Sequence, residues 1–230
     1  MRGLLAAVLV ALALPAAAPA QIGRDLYAVN CSRCHGSAGS GTDDGPALRD
    51  SGALAADFYL RTGYMPLGHP GEQPSRGEVD FSERELRALI GYVASLGNGP
   101  PVPRVRPARG SVATGMRLFT QHCAGCHQIA ARGGYLTGAV APALDEATPT
   151  QIAEAVRIGP FLMPRFPERA ISARQLDSIV AYVRYARAPE DPGGWPLGRL
   201  GPVPEGMVAW LLAGAVLVGC CLVIGRRLER

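Results

Sequence analysis

Apolar residues run unbroken near both ends of this chain and fall at helical spacing in two stretches between. Leu86, Leu89, Ile90 and Val93 form one stripe, and Leu176, Ile179, Val180 and Val183 form another. Both follow i, i+3, i+4, i+7, one face of an α-helix. A capping box precedes each stripe, Ser82 with Glu85 and Ser172 with Gln175, and predicts where each helix starts. Tyr92 and Tyr182 hold equivalent places in the two helices. No stretch shows convincing period-two alternation, so the chain reads as all-α.

The two ends read differently. Met1-Arg2-Gly3 leads into an apolar run from Leu4 to Leu14 and then small residues ending Ala18-Pro19-Ala20. A charged start, a short apolar region and an A-x-A site predict a secretory signal over residues 1–20, cleaved after Ala20. An uncleaved anchor is the alternative, and either way the following residues are exported. From Gly206 to Gly225 there are 20 residues without a formal charge. At about 1.5 Å per residue such a helix spans about 30 Å, enough for a hydrocarbon core. Arg226, Arg227 and Arg230 follow, which predicts a cytoplasmic tail over 226–230, and Trp210 suits the outer interface. The expectation is a single-pass protein of the bacterial inner membrane with its bulk on the outer, periplasmic face.

Between the ends the chain repeats itself. Gly23-x-x-Leu26-Tyr27 is matched by Gly115-x-x-Leu118-Phe119. Pro46-Ala47-Leu48 is matched by Pro142-Ala143-Leu144, and Met65-Pro66 by Met163-Pro164. Each copy ends in one of the amphipathic helices. The predicted organisation is a first domain over 21–99, a Pro/Arg-rich spacer over 100–109 and a second domain over 110–188. A Gly/Pro-rich approach segment over 189–205 and the span over 206–225 complete it. Domains this small bury a marginal apolar core by themselves, so a large bound apolar group would help each one fold.

The repeat also names that group. Cys31-Ser-Arg-Cys34-His35 and Cys123-Ala-Gly-Cys126-His127 are two copies of Cys-x-x-Cys-His, the attachment signature of c-type haem. Two thiols on one helical turn add to the haem vinyl groups, and the adjacent His turns its imidazole to the iron. One zinc ion shared by two Cys-x-x-Cys pairs needs no His after each pair, and these pairs lie 92 residues apart. A thioredoxin-like motif needs a βαβ setting that is not visible. The reading is two covalently bound haem c groups, attached through Cys31, Cys34, Cys123 and Cys126, with His35 and His127 as axial ligands.

For the second axial position the candidates are few. Met65 and Met163 stand at matching places in the repeat, each followed by Pro, which takes its segment out of helix and offers the thioether from a loop. The alternative for either Met is core filler. His69 competes with Met65 but has no counterpart in the second copy. His122 directly precedes Cys123 and reads as a surface or packing residue. A thioether favours ferrous iron and raises the potential, and two filled positions favour electron transfer over catalysis.

Composition changes little. All 23 basic residues are Arg, and the net charge of +4 gives no argument for nucleic acid. Cys220 and Cys221 fall within the predicted span.

Each repeat unit resembles a class I cytochrome c domain, in which N- and C-terminal helices cross at a Gly and aromatic contact. Gly23, Tyr27 and Tyr92, and Gly115, Phe119 and Tyr182, match those places. Pro46 and Pro142 resemble the proline whose carbonyl accepts a hydrogen bond from the axial His. The expected architecture is thus two tandem class I cytochrome c domains plus one C-terminal transmembrane helix. Tyr59-Leu60-Arg61-Thr62-Gly63-Tyr64-Met65-Pro66, Met163-Pro164-x-Phe166 and Gly201-Pro-x-Pro-Glu-Gly-Met207 are similar to the dihaem cytochrome c subunit of the actinobacterial cytochrome bcc complex. The resemblance implies electrons taken from a Rieske iron–sulfur protein and passed towards an aa3-type terminal oxidase. It implies cytochrome b and Rieske partners in a quinol–cytochrome c reductase, a translocase, within a respiratory supercomplex. No catalytic chemistry is expected of the isolated chain. The alternative is a free-standing, membrane-tethered dihaem shuttle. A dihaem peroxidase needs a displaceable ligand, against which the matched Met residues speak, and a sensor needs an output domain that the short tail does not provide.

Overall fold

The structure, a computed structural model, describes residues 19–72, 75–189 and 202–228. The signal expected over 1–20 and the approach segment expected over 189–205 lie almost wholly outside the described residues, as do Glu229 and Arg230 of the expected tail.

Each amphipathic stripe becomes the last helix of a four-helix repeat. The first repeat holds α1 (Pro19–Asn30), α2 (Ser32–His35), α3 (Gly52–Arg61) and α4 (Glu83–Ser95). The second holds α5 (Val112–His122), α6 (Ala124–His127), α7 (Pro149–Ile158) and α8 (Ala173–Arg187). Both expected capping boxes are made. Glu85 N–H reaches Ser82 Oγ while Ser82 N–H reaches the Glu85 carboxylate, and Ser172 and Gln175 exchange the same bonds. A third box, Thr148 with Gln151, starts α7.

First and last helices cross at a glycine in each repeat. A Cβ on Gly23 would meet the Ala88 carbonyl oxygen at 2.2 Å, and one on Gly115 would meet that of Ser178 at 1.9 Å. No side chain fits between backbones this close. Beside each crossing an aromatic pair packs, Tyr27 on Tyr92 at 5.1 Å and Phe119 on Tyr182 at 5.3 Å between ring centroids. Tyr27 and Phe119 are both only 1% exposed, so these pairs anchor the two cores.

The mostly helical architecture carries one short β-hairpin that the sequence pattern did not show. Gly134–Leu136 (β1) and Ala139–Ala141 (β2) form an antiparallel hairpin with Tyr135 opposite Val140. Strands of three residues are too short to show alternation. The tight turn is permitted by Gly138 at φ +81°.

The spacer is docked at both ends. Leu54 N–H donates to the Pro100 carbonyl, and Arg106 N–H donates to the Asp177 carboxylate at 2.6 Å. Pro107–Arg109 then form a 3-10 turn that leads into α5.

A separate unit carries the apolar helix α9 (Pro202–Leu228). Its part long and apolar enough to cross a membrane is Gly206–Leu228, 23 residues with a mean hydropathy of 2.6. The helix therefore runs past the expected end at Gly225 through Arg226 and Arg227. Charge limits the apolar segment, not the backbone hydrogen bonds, and cations suit a helix C-terminus.

Candidate haem-binding sites

Each Cys-x-x-Cys-His motif continues a helix through a kink. Cys31 and Cys123 both have φ of −124°, and their N–H groups still reach back to the Tyr27 and Phe119 carbonyls. His35 and His127 N–H then bond the Cys31 and Cys123 carbonyls at 2.9 Å. Two thiols three residues apart and a His four residues from the first thus share one helical turn.

The imidazoles are fixed from behind. His35 Nδ1 donates to the Pro46 carbonyl at 2.8 Å, and His127 Nδ1 donates to the Pro142 carbonyl at 3.0 Å. A carbonyl only accepts, so Nδ1 carries the proton and Nε2 keeps its lone pair. Burial lowers the His127 pKa, opposed by the bond to Pro142, and keeps the ring neutral. The proline segments are themselves held in register. Leu48 N–H bonds the Gly39 carbonyl, and Leu144 N–H bonds that of Ala131. Arg187 at the end of α8 adds bonds to the Leu144 and Ala147 carbonyls.

Cys123, Cys126, His127 and Met163 line one cavity in the second repeat. Met163 arrives on a loop stapled to α7. Phe166 N–H bonds the Val156 carbonyl, and Arg157 donates to the Phe166 and Ile171 carbonyls at 2.9 and 2.8 Å. In the first repeat Cys31 and Met65 pack against one core cluster with Leu60 and Leu89. Met65 N–H hangs on the Tyr59 carbonyl at the end of α3. His69 is exposed and turns Nδ1 to the Pro70 carbonyl. His122 packs its ring against Phe166 at the rim of the second cavity.

This donor set fits a c-type haem. The second cavity has mostly apolar walls, a neutral imidazole with a free lone pair, a thioether and two thiols. Burial pushes the Cys31 and Cys123 thiols up to about 11, helped by Cys34 and Cys126, so both stay uncharged.

Periodicity did not reveal that the second cavity is shared between repeats. Phe58, Thr62, Tyr64 and Arg76 of the first repeat line it too. α3 packs on α7, and Gln151 Nε2 donates to the Arg61 carbonyl at 3.2 Å. Phe161 lies edge-on to Tyr64 at 5.2 Å and to Tyr59 at 6.2 Å. The helices that carry the two Met loops therefore face each other. The only sequence signal was the aromatic run just before Met65.

Comparison with known proteins agrees with this geometry. A family model described as cytochrome c oxidase, cbb3-type, subunit III matches residues 18–93 and 110–183, one match per repeat. The cytochrome bc1 complex cytochrome c subunit of Corynebacterium diphtheriae is 38% identical over 90% of this chain and 80% of its own length. That of Mycobacterium tuberculosis is 38% identical over 89% of this chain and 77% of its own. The cbb3-type cytochrome c oxidase subunit FixP of Sinorhizobium medicae is 29% identical over 51% of this chain and 42% of its own. Two tandem cytochrome c domains for haem c and one membrane-anchoring helix make this an electron carrier, and the chain belongs to the family of cytochrome bc1 complex cytochrome c subunits.

Proposed function

We propose that this chain is the dihaem cytochrome c subunit of a quinol-oxidising bcc complex. It takes electrons from a Rieske iron–sulfur protein and passes them towards a terminal oxidase of the aa3 type. Cytochrome b and the Rieske protein are its partners in the reductase, a translocase, and the oxidase joins them in a supercomplex. The haem domains, over 21–99 and 110–188, face the outer side of the membrane, and the tail after α9 is cytoplasmic.

Cys31 and Cys34 would attach one haem, and His35 and Met65 would hold its iron. Cys123 and Cys126 would attach the other, and His127 and Met163 would hold its iron. When bound, each haem supplies one-electron chemistry between ferrous and ferric iron. The chain binds, orients and tunes. Pro46 and Pro142 fix the imidazole tautomer and rotation. With haem bound, the thioethers of Met65 and Met163 would favour the ferrous state and would leave no free position for oxygen or peroxide.

The observation that carries this reading is the extent of the similarity. It covers 90% of the chain for the bc1 complex subunit, well beyond the two cytochrome segments, and only 51% for the FixP relative. The test is purification through a tag in gentle detergent. Co-purification of a cytochrome b and a Rieske protein with quinol oxidation is the expected result. A monodisperse dihaem protein without partners at native expression would favour the free shuttle instead.

A further inference from the structure

One buried ionisable group takes no part in holding haem. Glu154 of α7 is 0% exposed, and neither carboxylate oxygen has a hydrogen-bond partner. A charged carboxylate without water or donors is costly to bury. Its neighbours explain how the chain accepts it.

Across the contact between the repeats stand Asp57 and Arg61 of α3. Arg61 is already committed, to Asp57 at 2.9 Å and to both oxygens of Glu83 on α4 at 2.6 and 2.9 Å. Arg87 also bonds Glu83. The helix that carries Glu154 shares an apolar core cluster with α8, Ile152, Ala153 and Val156 packing with Ile179, Val180 and Val183. Three carboxyl groups thus surround one guanidinium, and the fully buried one has no cation of its own. Two ionised carboxylates have no donor to share. One proton between Asp57 and Glu154 creates an O–H···O bond and removes the like-charge repulsion. Burial first, and then the Asp57 charge, push the Glu154 carboxyl up to about 9.

The pair lies beside the second cavity without lining it. Ile152 and Val156, two residues either way from Glu154, line that cavity, as do Phe58 and Thr62 beside Asp57 and Arg61. A proton here thus sits next to the wall of the cavity that would hold the electron. Asp57, whose side chain is 13% exposed, offers a path to solvent.

We propose that Asp57 and Glu154 form a proton-binding site at the contact between the repeats, which holds its proton more tightly when the second repeat's haem is reduced than when it is oxidised. On reduction the iron gains one electron from its donor, an iron–sulfur centre in the proposed complex or a chemical mediator in vitro. The Asp57–Glu154 pair takes a proton from bulk water through the exposed edge of Asp57. On oxidation the electron leaves to the acceptor and the proton returns to water. At separations on the order of 10 Å, a unit charge shifts a partly buried carboxyl by roughly one pKa unit, a tenfold change in proton affinity. For one electron that tenfold change equals about 59 mV.

This inference rests on the haem reading of the second cavity, and potentiometry of the full-length haem-loaded protein in detergent separates the two. Haem absorption bands test the cavity, and the pH dependence of the potentials tests the carboxyl pair. The expected result is one potential that falls as pH rises through about 8 to 9, and a loss of that fall in Glu154→Gln. A band of protonated carboxyl in the redox-difference infrared spectrum disappears in the same variant. Asp57→Asn is the second variant: without its negative charge the fall moves to lower pH. A fall that survives unchanged in Glu154→Gln belongs to the haem propionates and overturns the proposal, as does a flat wild-type profile with haem bands intact.

Discussion

The two repeats solve one problem with the same backbone and then spend their spare residues differently. Helix crossing, kinked motif and proline carbonyl behind the imidazole match almost atom for atom. The loops do not. Ten residues separate His35 from Pro46, whereas fourteen separate His127 from Pro142, and the longer segment contains the β1–β2 hairpin. After the methionine the balance reverses, with sixteen residues between Met65 and Ser82 and eight between Met163 and Ser172. The longer loop carries Arg76, which lines the second cavity. Repeated motifs thus supply matching candidate ligands in both repeats, while unequal loops set their surroundings. The second cavity has a wall built by both repeats, so on the proposed dihaem reading the two haems are expected to differ in potential although their proposed ligands agree.

The largest effect should come from removing the attachment points. Cys31→Ala with Cys34→Ala, or Cys123→Ala with Cys126→Ala, should each remove one covalent haem, read as the loss of one haem mass from the intact protein. Loss of both from either pair would mean that the repeats do not load independently. Next come the crossings. Gly115→Ala places a methyl 1.9 Å from the Ser178 carbonyl oxygen, a backbone atom that cannot swing away. A cost of about 3 kcal/mol or more is expected in thermal unfolding, with Gly23→Ala slightly milder.

Ligand exchange should be smaller and selective. Met163→His should lower one potential by on the order of 0.1 V, within the roughly 0.8 V that axial ligation spans, and Met65→His should lower the other. Spectra and potentials unchanged in both variants would disprove the methionine assignment. The Tyr64–Phe161 contact is worth roughly 0.5–1.5 kcal/mol, measurable as the coupling in a Tyr64→Ala, Phe161→Ala double-mutant cycle. Tyr135, 92% exposed on the hairpin, should be nearly silent: Tyr135→Ser is expected to change stability by less than about 0.5 kcal/mol.

Much of this architecture is written locally. Cys-x-x-Cys-His, the capping boxes at Ser82 and Ser172 and the apolar run after Gly206 are short-range patterns, and short-range patterns survive in a bare sequence. Even α7 had its sign in Thr148 and Gln151, though its shortness and the lack of a long stripe hid it. The hairpin was illegible because three-residue strands carry too few positions to show a period.

The sequence alone determined which groups are candidates to bind the cofactor, because covalent attachment and axial ligation need specific residue types at fixed spacing. It also determined that two similar units precede a membrane-length helix, since periodicity and charge are properties of the chain itself. The tertiary structure alone decided how the two haem-bearing units face each other. Nothing local says that α3 packs on α7, that Tyr64 meets Phe161, or that Asp57 and Glu154 meet across 97 positions of chain. Such contacts arise from the complementarity of two finished surfaces, and the burial of Glu154 exists only once both have formed.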